Sequence, residues 1–411
     1  MMDARETSPV MPSCGGLPAG ARLDPAPALG VYIHWPFCVT KCPYCDFNSH
    51  VARIGTPAEW AQAYRRAIAA WHARLPQGRI ASVFLGGGTP SLMPIALVED
   101  VLDGLFAAFP PLHPDVEITL EANPTSVEAK RFAGYRAAGV NRISLGIQAL
   151  DDTALRFLGR PHGREEGLAA LAIAQRHFDR VNIDLITARP EQTLKAWERE
   201  LDEAIGFGVE HISCYQLTLE PGTRFWARAQ RGERVLPDPE TAARIFTFTR
   251  ARLAQAGLPA YEVSNHARPG AECRHNLGYW RYQPYLGIGP GAHGRLPLAQ
   301  GGAMLATTAI RSPAHWLKAT REGDGTALAQ CETLDPHAAA REALLMGLRL
   351  QEGVDPGALA ARFGLAVADM LDEGRCHLLA EDGLLTWSAG RVRVEEAGWP
   401  LLDRLLVEIL R

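Results

Sequence analysis

Six short apolar, β-branched runs alternate with longer helical patterns over the first two thirds of the chain, and this alternation limits the architecture more than any other feature. The runs are 30–34, 80–86, 117–121, 142–147, 181–187 and 211–217, and helical periodicity fills 57–73, 91–109, 125–138, 151–177, 191–206 and 238–256. Two strands joined through a helix of that length pair in parallel, because a parallel neighbour needs a crossover. Six such units fall short of a closed eightfold barrel. The predicted fold class is therefore α/β, a partial TIM-like (β/α)6 barrel over residues 29–257. Beyond it, 258–330 reads as a motif-dense linking region, and 331–411 as helices at 338–350, 356–363 and 367–379, a hairpin at 383–394 and a last helix at 395–410. Helices followed by a hairpin and a further helix predict a small, winged-helix-like C-terminal domain. Residues 1–28, rich in Pro, Gly, Ala and Ser without apolar periodicity, predict a disordered N-terminal extension.

Charge narrows the partners. The 42 Lys and Arg face 46 Asp and Glu, a net charge of -4, which argues against a protein that coats nucleic acid or anionic lipid. Lys and Arg are not gathered on one helix of the C-terminal part, so a docking or lid role is expected there rather than DNA binding. No apolar run reaches the 18 or so residues of a spanning helix, and no basic-then-apolar leader opens the chain. The expectation is a cytoplasmic protein without stable membrane insertion. Of 8 cysteines, Cys14, Cys214, Cys273, Cys331 and Cys376 are scattered and receive no role, while three crowd into eight residues.

Polar motifs collect at the strand ends, where α/β barrels build their sites. Cys38 follows the first strand, Gly86 to Ser91 (GGGTPS) ends the second, Glu121 the third and Gln148 the fourth; Asp184 lies on the fifth, and Thr218 with Glu220 follows the sixth. The cysteine spacing is Cys38-x3-Cys42-x2-Cys45. Three thiolates this close can hold three irons of a [4Fe–4S] cube and leave the fourth iron open to a small molecule. The same spacing also suits a structural zinc with His34 or His50 as fourth ligand. Glycines at a strand end allow close backbone approach, so the N–H groups of that run are expected to meet a carboxylate.

The cysteine loop, with Tyr44 before its last cysteine and Gly86–Gly88 following, resembles the radical S-adenosylmethionine (SAM) superfamily, and the partial barrel agrees. YIHWPFCVTKCPYCDFNSH, FLGGGTPSL, ITLEANPTS, GVNRISLGIQALDD, LGRPH, CRHNLGYW and YLGIGPGAHG extend the resemblance to nearly all of 30–411. They resemble the branch that holds oxygen-independent coproporphyrinogen III oxidase and the heme chaperones. The resemblance implies a [4Fe–4S] cluster on Cys38, Cys42 and Cys45, and S-adenosylmethionine contacts at Tyr32, Gly87, Gly88, Thr89 and Glu121. It adds a further set, Tyr44, Gln148, Arg160 and Asp184, which in the oxidase holds a second S-adenosylmethionine.

Two features favour the chaperone side of the branch. Phe47 stands where the oxidase has a fourth cysteine, and His275-Asn276-Leu277-Gly278-Tyr279-Trp280 matches the family's heme-associated HNxxYW motif. The implied heme contacts are His275, Asn276, Tyr279 and Trp280, with no catalytic residue assigned. The implied function is heme binding and delivery to heme-requiring respiratory membrane proteins, with a homodimer among the implied states. The alternative is oxidative decarboxylation of coproporphyrinogen III to protoporphyrinogen IX. One stretch departs from the family: Thr187-Ala188-Arg189-Pro190-Glu191-Gln192-Thr193 replaces a Tyr-Gly-Leu-Pro-Gly-Gln-Thr run. Both glycines are lost, and Arg189 is expected to bring an anion contact.

Overall fold

The computed structural model describes residues 22–24, 27–52, 54–299 and 301–411. The six runs form β1 (Ala28–Trp35), β2 (Arg79–Gly87), β3 (Glu117–Ala122), β4 (Arg142–Gln148), β5 (Arg180–Thr187) and β6 (His211–Gln216). They lie side by side in chain order, all parallel. The sheet is wider than the sequence predicts. It also contains β7 (Asn265–Ala267), β8 (Tyr285–Ile288), β9 (His293–Pro297), β10 (Met304–Ala309) and β11 (Leu328–Leu334). The spatial order is β11-β10-β9-β8-β1-β2-β3-β4-β5-β6-β7. β8 is parallel to β1, whereas β9, β10 and β11 continue as antiparallel neighbours and β7 is antiparallel to β6. The sheet stays open, with β7 and β11 at its edges. β7 and β8 have three and four residues, β8 and β9 contain Gly or Pro, and β10 and β11 mix small and polar residues, so no apolar period marks these strands in the sequence.

Of the expected N-terminal extension, only residues 22–24 and 27–28 are described; there Leu23 bridges Leu298 and Ala28 opens β1. Cys14 lies outside the described residues.

The helix Pro57–His72 shows how sequence fixes the floor of the site. Thr56 and Glu59 close a capping box: Thr56 N–H donates to Glu59 Oε2 at 2.7 Å, and Glu59 N–H to Thr56 Oγ1 at 3.2 Å. One face then buries Trp60, Tyr64, Ile68 and Trp71, each such side chain contributing on the order of 1.5–3 kcal/mol. Trp60 meets Trp35 edge-on at 5.3 Å and Phe37 at 5.5 Å, and Tyr64 donates its hydroxyl to His34 O at 2.7 Å. The helix therefore pins the end of β1, from which the cysteine loop departs.

Four predicted helices are split; in 91–109 a turn at Pro90–Leu92 precedes the helix Ile95–Ala108. Residues 151–177 form Asp152–Phe157 and Arg164–His177, because Gly159 takes φ +65° and Pro161 follows. Residues 125–138 break around Lys130 into Ser126–Ala129 and Phe132–Ala137. Residues 367–379 break where Leu371 becomes extended, bridges Leu410, and hands over to Asp372, whose side chain caps the helix Glu373–Glu381. In the C-terminal part, β12 (Leu385–Ser388) and β13 (Arg391–Val394) form the expected hairpin. Its last helix, Leu402–Ile409, begins only after a turn at Trp399–Leu401. This part has its own core, including Leu344, Phe363, Leu379, Trp399 and Leu406. The Arg250 guanidinium reaches it, lying 4.3 Å from the Trp399 ring. Among the described residues, no helix is long and apolar enough to cross a membrane.

A candidate cofactor cavity at the strand ends

A cavity of about 880 Å3 runs inward from the C-terminal ends of β1–β6. It gathers Tyr32, Cys38, Cys42, Tyr44, Cys45, Gly87, Gly88, Thr89, Glu121, Gln148, Arg160, Asp184, His275, Asn276 and Tyr279. These are all of the sequence-proposed site residues but one. Trp280 is the exception: it does not line the cavity, and its indole Nε1 is buried without a partner.

The cysteine loop is tied at its base by Cys38 N–H to His50 O (3.0 Å) and His50 N–H to Pro36 O (2.7 Å). Cys38 Sγ accepts from Thr89 Oγ1 at 3.4 Å, Cys42 Sγ accepts from Arg160 Nη1 at 3.4 Å, and Cys45 Sγ lies 3.8 Å from Ser49 Oγ. Burial pushes the Cys38 and Cys45 thiols up, and the Thr89 and Ser49 hydroxyls partly offset this. Arg160 is held in turn by Asn123 Oδ1 (2.5 Å) and Gly146 O (3.1 Å), so its cation is fixed beside the sulfurs.

Of the two histidines weighed for a zinc site, His34 has both ring nitrogens engaged and His50 one. His34 Nε2 contacts Asn48 O at 2.9 Å and Nδ1 the Tyr32 hydroxyl at 3.2 Å, while His50 Nε2 faces Asn48 Oδ1 at 3.2 Å.

The glycine run does something other than expected. Gly87 N–H donates to Glu121 Oε2 (3.2 Å), Gly88 N–H to Trp35 O (2.7 Å) and Thr89 N–H to Phe37 O (2.8 Å). The amides expected to meet a ligand carboxylate are thus committed to the protein. Glycine is required because a Cβ at Gly87, where φ is +112°, would stand 2.5 Å from the His34 ring, and one at Gly88 2.7 Å from Phe37 O. The run lets the cysteine loop pack against the end of β2.

Arg189 is also corrected. It is buried and ion-paired with Glu200, away from the cavity, so it brings no anion contact there. The backbone nevertheless keeps the conformation of the missing glycines, with φ +56° at Ala188 and +60° at Glu191.

Of the carboxyls that line the cavity, Glu121 and Asp184 stand at the ends of or on its strands. Burial, with Asp184 adding, pushes Glu121 up to about 8, against the Gly87 N–H. Asp184 is raised by burial although it accepts from Asn182 Nδ2 (2.8 Å) and Ser144 Oγ (3.2 Å). At the inner end, His275 is 3% exposed and stacks on Phe84 at 5.2 Å. Its Nδ1 lies 2.9 Å from Ser82 Oγ, its Nε2 is buried without a partner, and burial holds its pKa near 4. The imidazole is neutral at physiological pH.

Sequence reasoning missed Arg142, Ser144, Asn182, His211 and Ser213, which also line the cavity. The signal was present. Arg142, Ser144, Gly146 and Gln148 alternate along β4, as Asn182 with Asp184 and His211 with Ser213 do on the next two strands. Polar residues at every second position of strands covered on both faces mark the cavity side.

Comparison with known proteins agrees with this geometry. The radical SAM superfamily profile matches residues 32–204 and that of the HemN C-terminal domain residues 334–401. The fold is that of a radical SAM protein. A mitochondrial radical S-adenosyl methionine domain-containing protein 1 from Bos taurus is 40% identical over 95% of this chain and 90% of its own length. The heme chaperone HemW of Mycobacterium tuberculosis is 37% identical over 95% of this chain and 97% of its own, and that of Escherichia coli K12 42% over 71% and 76%. The solved structure of coproporphyrinogen III oxidase (HemN) from Escherichia coli superposes with TM-score 0.78 at 24% identity, covering 93% of this chain and 90% of that one, a likeness of fold. The chain belongs to the HemN/HemW branch of the radical SAM superfamily.

Membership implies a [4Fe–4S] cluster and S-adenosylmethionine, and the donor chemistry fits them although, among the described residues, the three thiols are not drawn together into one metal-holding group. Three thiols open onto one cavity, a fixed cation and a hydroxyl donate to two of the sulfurs, and hydrogen bonds of this kind tune a cluster.

Proposed function

We propose that the chain is a cytoplasmic heme chaperone. Cys38, Cys42 and Cys45 hold the [4Fe–4S] cluster. Tyr32, Gly87, Gly88, Thr89 and Glu121 bound the S-adenosylmethionine site, with Tyr44, Gln148, Arg160 and Asp184 as the adjoining set. When bound, these groups supply one-electron chemistry. Heme is cargo, taken up along His275, Asn276 and Tyr279 and passed to heme-requiring respiratory membrane proteins.

The observation that carries the heme reading is the state of His275. In a buried neutral imidazole whose Nδ1 lies 2.9 Å from Ser82 Oγ and whose Nε2 has no partner, the tautomer that donates Nδ1–H to Ser82 presents the Nε2 lone pair to an iron. Tyr279 stands edge-on to it at 4.7 Å, and Tyr285 edge-on to Tyr279 at 4.5 Å, which makes a rigid aromatic wall. Trp280 does not line the cavity and is not assigned to heme.

The test uses anaerobically reconstituted protein in two parallel assays, heme titration by absorbance and coproporphyrinogen turnover with S-adenosylmethionine and a reductant. The expected result is heme binding that weakens at least tenfold in His275→Ala, without protoporphyrinogen. Unchanged binding in the variant removes His275 as the ligand; sustained protoporphyrinogen production makes the protein an oxidase.

A further inference from the structure

Arg142 is the first residue of β4, lines the inner end of the cavity and is 2% exposed. Its Nε is buried without a partner, and among the described residues no hydrogen bond or ion pair holds its guanidinium. The neighbouring acceptors are already taken. Glu117 receives Arg180 Nη1 at 2.6 Å, the His275 N–H at 3.2 Å and the Cys273 thiol at 3.4 Å. Asn182 Oδ1 receives His211 Nδ1 at 2.6 Å and Ser213 Oγ at 3.2 Å. Asp184 is taken up by Asn182 and Ser144.

A guanidinium has five N–H donors and cannot shed its charge, and buried donors of this kind are normally satisfied. Its planar fork matches a carboxylate with two parallel hydrogen bonds. We propose that Arg142 binds a carboxylate group of the molecule that occupies the cavity. Its place in the fold favours one source. Arg142 is six residues before Gln148, roughly 20 Å along the strand from the cavity mouth at about 3.3 Å per residue, whereas the cysteines and Glu121 sit at the C-terminal ends. It shares Glu117 as neighbour with the His275 amide. Under the heme reading, on which this assignment of source rests, the carboxylate is a propionate of heme; the carboxylate of S-adenosylmethionine is the other source.

The experiment titrates ferric protoporphyrin IX, its dimethyl ester and S-adenosylmethionine separately into the reconstituted full-length protein and into Arg142→Gln and Arg142→Lys. Wild type is expected to bind the diacid at least tenfold more tightly than the diester. Arg142→Gln should erase that difference by weakening the diacid alone, and Arg142→Lys, which keeps charge without the fork, should restore part of it. The wild-type comparison stands even where a variant folds poorly. Equal affinity for diacid and diester, together with an Arg142→Gln protein that binds S-adenosylmethionine as wild type does, overturns the proposal. A tenfold loss of S-adenosylmethionine binding in Arg142→Gln supports the carboxylate site and assigns it to that molecule. Failure of wild type to bind either porphyrin refutes the heme reading, and the S-adenosylmethionine arm then decides Arg142 by itself.

Discussion

Glu191→Gly should stabilise the loop between β5 and the helix Leu194–Gly206, whereas Ala188→Gly should leave it nearly unchanged. Both residues sit in the left-handed region, at φ +60° and +56°. That conformation costs a residue with a Cβ roughly 1–2 kcal/mol. Glycine removes the cost but returns about 0.4–1 kcal/mol of freedom to the unfolded chain, so Glu191, which is exposed, should gain about 0.5–1 kcal/mol on substitution. Ala188 is 1% exposed, and losing its buried methyl costs about 0.8 kcal/mol more, which cancels the gain. The assay is native-state hydrogen exchange at Gln192 N–H, bonded to Arg189 O at 3.1 Å, and at Leu217 N–H, bonded to Thr187 O at 2.9 Å. Protection should rise roughly 2–5-fold in Glu191→Gly. Glu191→Asn, which tolerates the conformation, should show a smaller rise, and Glu191→Ala none, which separates backbone strain from loss of charge. Unchanged protection in Glu191→Gly, or a gain in Ala188→Gly of the same size, refutes the strain argument.

Replacing Cys38, Cys42 or Cys45 by Ala should abolish the cluster, read as loss of bound iron and brown colour; wild-type iron in any of the three removes it from the ligand set. Glu117→Ala leaves Arg180 with Glu210 as its one remaining carboxylate among the described residues and strips the His275 amide of its acceptor. The expected cost is about 1–3 kcal/mol, and a thermal midpoint within a degree of wild type would contradict it. His162 is lowered to about 4 by burial, with Arg160 adding. Between its unfolded value near 6.5 and that value only the unfolded chain takes the proton, so stability falls as pH drops through this window, by up to about 3 kcal/mol. His162→Gln should flatten the pH dependence of denaturation there, and an unchanged slope rejects the assignment. Glu121 is pushed up to about 8, so if its carboxylate meets the ligand's ammonium, S-adenosylmethionine affinity rises with pH toward 8, by at most ~10-fold per unit. Glu121→Gln should remove that rise; a wild-type affinity that is flat or falls with pH excludes the carboxylate contact.

The legible part of the molecule is the part written in period. The six parallel strands and the cysteine loop announce themselves because each apolar run is continuous and each motif follows one. β8 and β9 do not, because Gly287, Gly289, Pro290 and Gly294 lie in and between them, and β10 and β11 do not, because they mix small and polar residues and their pairing partners are set by tertiary contact. Gly287 is required there, since a Cβ would fall 2.1 Å from His293 O. The glycines of 86–88 are closely approached by the protein itself: the Tyr32 ring at Gly86, the His34 ring at Gly87 and the Phe37 backbone of the cysteine loop at Gly88, contacts between residues some fifty positions apart that no spacing reveals. Arg142 escaped notice for a simpler cause: it opens a strand at the end opposite the motifs, where a charge ordinarily faces solvent.

The inner wall of the cavity is one directed line of hydrogen bonds. Asn276 Nδ2 donates to the Tyr261 hydroxyl at 3.0 Å, and that hydroxyl lies 3.0 Å from His211 Nε2. His211 Nδ1 lies 2.6 Å from Asn182 Oδ1, and Asn182 Nδ2 donates to Asp184 Oδ1 at 2.8 Å. Asn182 Oδ1 also accepts from Ser213, so His211 Nδ1 carries the hydrogen and Nε2 is left to accept from tyrosine. Burial lowers His211 well below its ordinary range, so the ring has no proton on Nε2 with which to reverse the direction. Turning the Asn182 amide over would set its oxygen against Asp184 and its N–H groups against two donors. Neither Asn182 nor His211, the buried members, can turn over without leaving a buried polar group unpaired, and each such group costs about 1–3 kcal/mol. The orientation of Asn276, in the segment beside the free imidazole nitrogen, and that of Asp184, at the cofactor end, are therefore fixed together. Motifs that read as two separate sites along the chain form a single rigid surface in the fold.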